Sequence, residues 1–152
     1  MPYVAYVDLS AKVEQWTLDS AIAVSNGTAR ALLVPARIKQ EARRFLNERH
    51  GTKSTQYRVL AVLVYLAVRD DLPNIRQLVI DLDYSGQAVE ATIKNLLLTL
   101  LRQSMPDVSA GYIRVENVKG SKADHLARQV YQGKAEAIRV VSWAEIRAVL
   151  EK

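Results

Sequence analysis

The sequence predicts an α/β domain in which helices flank a mixed five-stranded sheet, followed by a short C-terminal strand and helix. Two observations predict this class. Early strand-like runs are joined by an Asn-Gly pair, the strongest short signal for a hairpin. Later, buried strand-like runs alternate with helical repeats, which indicates βα units containing parallel strands. We expect residues 1–133 to form the main body of the domain and residues 134–152 to extend it.

The first part of the chain predicts an antiparallel meander of three strands. Residues 3–10 are mostly apolar on both faces, which is typical of a central strand. Residues 13–25 are predicted to continue as a second strand. After Asn26-Gly27, the run Ala29–Val34 makes the third strand, and Pro35 ends the meander.

The rest of the chain predicts helices that cover two further strands. A basic amphipathic helix spans about 38–48, and the nearly all-apolar helix 54–69 is expected to be buried against the sheet. The remaining predicted elements are a strand at 78–83, a helix at 87–102, a strand at 111–118, a helix at 122–132, an apolar run Ala137–Val141 and a final helix at 143–151. The last helix begins with the capping box Ser142-Trp-Ala-Glu145.

Composition is typical of one globular domain of 152 residues, with 49% hydrophobic and 24% charged residues. The chain has no cysteine, which excludes disulfides and thiolate metal sites and fits a reducing compartment. Neither a signal peptide nor an apolar stretch of membrane-spanning length is apparent. We therefore expect a soluble cytoplasmic protein with no membrane partner.

Basic residues are concentrated in one part of the chain. The net charge is +5 and the pI about 9.6, and residues 37–58 carry seven basic residues against two acidic ones. A local basic patch on a nearly neutral body suits binding to a phosphate backbone, and a solvated helix face is the alternative. The candidate nucleic-acid contacts are Arg37, Lys39, Arg43, Arg44, Arg49 and Lys53, together with Lys119 and Lys122 further along.

Three aspartates lie at the ends of different predicted elements. Asp8 is near the end of the first strand, Asp83 ends the strand at 78–83, and Asp124 opens a helix. If they converge, they form a site for a divalent cation, with Asp81 as an additional candidate ligand. Each has a plainer alternative, such as a helix cap for Asp124, three residues after Ser121, or a turn for Asp83.

The chain resembles the ribonuclease H-like superfamily, and type 1 ribonuclease H in particular, over about residues 3–133. Three segments carry the resemblance: Tyr6-Val7-Asp8-Leu9-Ser10 looks like the family's first-strand motif, Leu78-Val79-Ile80-Asp81-Leu82-Asp83-Tyr84-Ser85 like its fourth strand, and Val118-Lys-Gly-Ser-Lys-Ala-Asp124-His-Leu-Ala127-Arg128 like its closing motif. The third segment is the most specific of the three.

This resemblance implies a metal-dependent endonuclease. Asp8, Asp83 and Asp124 would be the catalytic metal ligands for Mg²⁺ or Mn²⁺, in a site that holds two ions. The implied substrate is the RNA strand of an RNA–DNA hybrid. Gln56 and Ser10 are candidate neutral ligands or substrate contacts.

The chain also departs from the family pattern. The family's glutamate should fall near Gln56–Arg58, where the sequence has no carboxylate; Asp81 or Glu48 are candidate substitutes. The usual histidine before Asp124 and the basic protrusion after the fourth strand's helix are missing as well. Two alternatives therefore stay open: a homodimeric endonuclease that resolves branched DNA, and a nucleic-acid-binding module without catalysis.

Overall fold

The computed structural model describes residues 3–26, 28–81, 87–116 and 120–151. Its α/β class and its mixed sheet flanked by helices confirm the predicted class. The strands are β1 (Tyr3–Ser10), β2 (Ser20–Ser25), β3 (Ala29–Val34), β4 (Ile75–Ile80), β5 (Ile113–Val115) and β6 (Arg139–Val140). The helices are α1 (Ala36–His50), α2 (Thr55–Val68), α3 (Gln87–Leu101), α4 (Lys122–Tyr131) and α5 (Trp143–Leu150).

The sheet has the strand order β5-β4-β1-β2-β3-β6. β1, β2 and β3 pair antiparallel, which confirms the predicted meander. β4 runs parallel to β1 on its other side, and β5 runs parallel to β4. β1 is thus a central strand, and the carboxyl ends of β1, β4 and β5 lie at the same end of the sheet.

The second predicted strand is too long. β2 begins only at Ser20, because residues 11–19 form turns closed by hydrogen bonds from Gln15 N to Lys12 O and from Leu18 N to Gln15 O, both 3.0 Å. Ala11 has a positive φ of 66°, a backbone conformation that interrupts an extended strand. Polar residues at 12, 14 and 15 favour this turn over a continued strand.

The sheet has six strands rather than the predicted five. The short C-terminal strand β6 pairs parallel with β3, and Ile138 N and Val141 N donate to Ala31 O and Leu33 O at 2.8 Å. The capping box at Ser142 and Glu145 then starts α5, as predicted. The tail is therefore part of the same sheet.

The two faces of the sheet are packed differently. On one face, large side chains such as Ile22, Val24 and Leu32 pack under α2, whose buried apolar residues fill the main core together with α1, α3 and α5. On the other face, alanines of β2 and β3 pack against Ala123 and Ala127 of α4. Small residues on both sides let α4 approach the sheet closely, and this places the beginning of α4 beside β1.

Candidate active site

Asp8 lies on the α4 side of β1. Side chains alternate along a strand, and Ala5 and Val7 belong to the main core, so Asp8 points to the opposite face. Asp8 pairs with Ala23 of β2. On its other side the β4 ladder continues past Val7 and Ile80, because Asp81 N donates to Val7 O at 3.1 Å. Asp8 and Asp81 therefore occupy neighbouring positions on adjacent strands.

Asp124 is held in the first turn of α4. Its backbone N–H donates to the Oγ of Ser121, the N-cap residue, at 3.1 Å, so the predicted cap exists. Its side chain also makes two contacts that a helix cap does not require. Oδ2 accepts a 2.8 Å hydrogen bond from Gly120 N, and both carboxylate oxygens lie 3.3 Å from Nη2 of Arg128. Gly120 adopts φ +86°, a conformation that favours glycine.

The carboxyl groups of Asp8 and Asp124 are close enough for a hydrogen bond between them when Asp8 is protonated. Burial, this hydrogen bond and the neighbouring charges of Asp81 and Asp124 raise the pKa of Asp8 to about 7. The pKa of Asp124 is lowered, mainly by the hydrogen bond from Gly120 and further by Asp8 and Arg128. Below about pH 7, Asp8 thus carries a proton that it can donate to the ionised Asp124, and this proton is lost as the pH rises above 7.

The structure brings together part of the predicted cluster. Asp8 and Asp124 are in contact, and Asp81 is close enough to raise the pKa of Asp8 through its charge. Asp83 and Lys119 lie outside the described residues. Within the described ranges, no group of three or more His, Cys, Asp or Glu side chains is arranged to hold a metal ion.

The two candidate neutral contacts lie on different elements. Ser10 ends β1 on the same strand face as Asp8 and is partly buried. Gln56 is in the first turn of α2, on the side of the sheet opposite to α4, and is also partly buried. The first turn of α2 contains no acidic residue, so the carboxylate that the resemblance calls for is not supplied there.

The predicted basic surface is present along α1, with one correction. Arg37, Arg43, Arg44, Arg49 and Lys53 are exposed, and so is Lys122 at the start of α4. Two of the arginines rest on aromatic rings: the guanidinium carbon of Arg43 lies 4.9 Å from the ring centre of Trp16, and that of Arg49 lies 4.0 Å from the ring centre of Phe45. Such contacts orient the guanidinium groups while leaving their N–H donors accessible.

The prediction that Lys39 contacts nucleic acid is wrong, because Lys39 is completely buried. Its Nζ donates to Ser20 Oγ at 2.8 Å, Gln15 O at 3.0 Å and Lys12 O at 3.5 Å. Burial lowers the pKa of Lys39 to about 8, against an opposing effect of Asp19 and Glu14, so the side chain is still mainly cationic at neutral pH. Lys39 anchors the turns between β1 and β2.

Two residues that set the ionisation of Asp8 and Asp124, here called the acid pair, were not predicted from the sequence. Gly120 supplies an N–H to Asp124, and Arg128 supplies a cation one helical turn away. The i,i+4 spacing of Asp124 and Arg128 was a readable signal for the second contact. Nothing in the sequence indicated the hydrogen bond from Gly120 to Asp124, since it depends on the backbone conformation of Gly120.

Comparisons of the chain with models of protein families, with curated proteins and with solved structures found no significant match. Among the described residues, the helices are too short or too polar to cross a membrane.

Proposed function

We propose that this protein is a metal-dependent nuclease of the ribonuclease H-like type that hydrolyses the RNA strand of RNA–DNA hybrids. The observation that carries the proposal is the contact between Asp8 and Asp124, two acids from distant parts of the chain. Bringing two carboxyl groups together in a partly buried site opposes folding unless a proton or a cation compensates the charge. A functional role for the pair explains why the fold tolerates that cost.

The topology supports the proposal. The resemblance implies an antiparallel meander followed by parallel βα units, and the sheet has this arrangement, with β1 between β2 and β4. In such sheets, ligands gather beyond the carboxyl ends of the parallel strands. Asp8 and Asp81 lie at that end, and the N-terminus of α4 delivers Asp124 to the same place.

The donor atoms suit a hard divalent cation. Asp8, Asp124 and Asp81 offer carboxylate oxygens, the ligands that Mg²⁺ and Mn²⁺ prefer, and the proton shared by Asp8 and Asp124 occupies a position where positive charge is favoured. Asp83 would complete the set. Bound Mg²⁺ or Mn²⁺, as a pair of ions in the two-metal form, would supply an activated water and stabilise the leaving oxygen.

The protein's own residues prepare this site. Gly120 and Arg128 hold Asp124 in its ionised form, ready to coordinate a cation. Asp8 has to lose its proton before its carboxylate can coordinate a cation, and its pKa of about 7 allows deprotonation near neutral pH. The exposed arginines of α1, which packs on the face of the sheet opposite to α4, would bind backbone phosphates away from the cleaved bond. Discrimination of RNA from DNA would depend on the 2′-hydroxyl groups.

A second candidate is a nucleic-acid-binding module without catalysis. The absence of an acidic residue from the first turn of α2 favours it, because this is where the resemblance calls for a further carboxylate. Under this reading the basic surface is retained and binds nucleic acid, and the acid pair cleaves nothing. The resolvase-like alternative predicts a dimer and a preference for branched DNA.

A cleavage panel separates these functions. Purified protein is incubated in Mg²⁺ or Mn²⁺ with an RNA–DNA hybrid, duplex RNA, single strands and a four-way DNA junction. We expect cleavage of the hybrid, with Asp8→Asn and Asp83→Asn each reducing the rate by at least about 100-fold. Asp107→Asn, at an exposed position outside the acid pair, is the matched control and should cleave at the normal rate.

The other outcomes are equally informative. Binding of hybrid without cleavage in either metal would support the binding module, and selective cleavage of the junction by a dimer would support the resolvase. Normal cleavage by both folded variants, Asp8→Asn and Asp83→Asn, would remove the proposed site.

A further inference from the structure

A groove of about 610 Å³ lies between α1, α2, α3 and α5, away from the acid pair on the other side of the sheet. Its volume is within the range of sites that bind small molecules. Most of its lining is apolar, with side chains such as Phe45, Val62, Leu100 and Leu150 contributed by the four helices. Thr99 and Gln103 add two neutral polar side chains.

Three basic side chains also line this groove: Arg49, His50 and Arg58. Within the described part of the chain, none of them forms an ion pair. The guanidinium of Arg49 stacks on Phe45, and Nε of Arg58 donates to Ser54 Oγ at 3.0 Å. Both contacts orient the guanidinium groups without neutralising their charge.

Helix electrostatics explains only part of this cluster. Arg49 and His50 are in the last turn of α1, where a cation favourably compensates the helix dipole. Arg58 is near the start of α2, where the dipole disfavours a cation, and the first turn of α2 contains no acidic residue. Among the described residues, the charge of Arg58 is therefore offset neither by a helix dipole nor by an ion pair.

We propose that the groove binds an organic anion that has one carboxylate or phosphate group and an apolar body. The anionic group would pair with Arg58 and with Arg49 or His50, since guanidinium groups bind such groups through two parallel hydrogen bonds. The apolar body would cover the side chains of α2, α3 and α5 that line the groove. The groove and the acid pair are on opposite sides of the sheet, so the anion site does not depend on Asp8 or Asp124, although Arg49 also belongs to the basic surface of α1.

Calorimetric titration with a matched series of probes tests the charge and the apolar body separately. Decanoate and decyl phosphate carry both features, decanol lacks the charge, decylammonium inverts it, and inorganic phosphate lacks the body. We expect saturable binding of one or both decyl anions, at least about tenfold weaker binding of decanol, and no binding of decylammonium or inorganic phosphate. The preferred headgroup then distinguishes a carboxylate ligand from a phosphate ester.

Two variants locate the binding site. Arg58→Gln should weaken binding of the preferred anion about tenfold. Thr99→Trp should block the groove from an exposed position without disturbing the core. Arg102→Gln is the matched control, since Arg102 is exposed directly after α3 but does not line this groove. It should bind like the unmodified protein.

Three results would overturn the proposal: decanol binding as tightly as both anions, absence of saturable binding by either anion, or unchanged binding in folded Thr99→Trp. If Arg58→Gln does not fold, as judged by circular dichroism, the Thr99→Trp variant and the probe series still decide the question. None of these measurements uses nucleic acid or a divalent metal, so their failure would leave the nuclease proposal intact.

Discussion

Two buried or partly buried charges occupy the same end of the β1–β2 hairpin, on opposite faces of the sheet. On the α1 side, the ammonium group of Lys39 is surrounded by three oxygen acceptors. On the α4 side, the carboxyl group of Asp8 meets a second acid, Asp124. Lys39 is held by hydrogen bonds that match its donors, whereas Asp8 is placed beside a group that opposes its ionisation.

The difference separates a structural charge from a functional one. A buried charge whose hydrogen bonds are satisfied stabilises the local structure, and removing it leaves its partners unpaired. Two acids that share a proton gain little stability from their proximity but can exchange that proton for a cation. Lys39 therefore belongs to the scaffold, and we place Asp8 in the site.

The largest expected effect on stability comes from breaking the Lys39 anchor. Lys39→Met keeps the approximate volume but removes all three hydrogen bonds of the buried ammonium group, so that Gln15 O, Lys12 O and Ser20 Oγ each lose one donor. We expect the free energy of unfolding to fall by about 3 kcal/mol. Urea denaturation at pH 7 measures this. Arg37→Gln, at an exposed position of the same helix, is the control and should change stability by less than about 0.5 kcal/mol. A loss below about 1 kcal/mol in Lys39→Met would show that the turn does not depend on this anchor.

Replacing Asp8 should have the opposite effect to replacing Lys39, and should stabilise the metal-free protein. The folded-state pKa of Asp8 is about 7 against a model value of 3.8, so the folded state holds the proton that the unfolded state has already released. Stability is thus lost as the pH rises from about 4 to 7, and the full cost remains above pH 7. Asp8→Asn, which has no such proton to lose, should be more stable at pH 8 by about 1–2 kcal/mol after allowance for solvent screening.

Unfolding curves at pH 4, 6 and 8 measure this difference between the two proteins. The advantage of Asp8→Asn should be small at pH 4 and reach its maximum near pH 7. Asp107→Asn controls for the loss of an exposed carboxylate and should show no such trend. Destabilisation by Asp8→Asn at pH 8 would mean that the carboxylate contributes to the fold, and the contrast with Lys39 would fail.

The same two residues show how much of this molecule the sequence could predict. Alternation placed Asp8 on the face opposite to Val7, and the register of β1 with β4 keeps it there. The basic, amphipathic pattern of α1 gave no sign that Lys39 differs from its neighbours, because its acceptors come from turns that local patterns predicted as strand. Patterns of apolar residues fix the faces of strands and helices, but they do not show which polar side chain a turn will enclose.

The candidate site was predictable in part for the same reason. The end of a central strand and the start of a helix are positions that sequence can assign, so the meeting of Asp8 and Asp124 could be expected. The protonation of this pair could not be predicted from the sequence, since it depends on burial and on the hydrogen bond from Gly120. Likewise, β6 consists of only two residues, and their local pattern does not indicate that they pair with β3 as a sixth strand.

A third prediction concerns the binding of Mg²⁺. Because the cation has to displace the proton of Asp8, whose pKa is about 7, its apparent affinity should fall about tenfold per pH unit below pH 7 and change little above it. Calorimetry or thermal-shift titration with Mg²⁺ between pH 5.5 and 8.5 measures the dependence. Asp8→Asn should bind Mg²⁺ more weakly and lose most of the pH dependence. Equal affinity at pH 5.5 and pH 7 in the unmodified protein would show that Asp8 is not a ligand.

The smallest expected effect tests whether Arg128 stabilises helix α4 or positions Asp124 for metal binding. The two residues form an i,i+4 ion pair in which the Arg128 side chain is 52% exposed, so Arg128→Gln should lower the free energy of unfolding by only about 0.3–0.5 kcal/mol, and by less in high salt. Arg128 lies equally close to both oxygens of Asp124 and competes with a cation for them. Its removal should therefore raise Mg²⁺ affinity by about twofold at pH 8, where both acids are ionised. A clear loss of Mg²⁺ affinity would instead mean that Arg128 orients Asp124 for coordination, and the arginine would then belong to the site rather than to the helix.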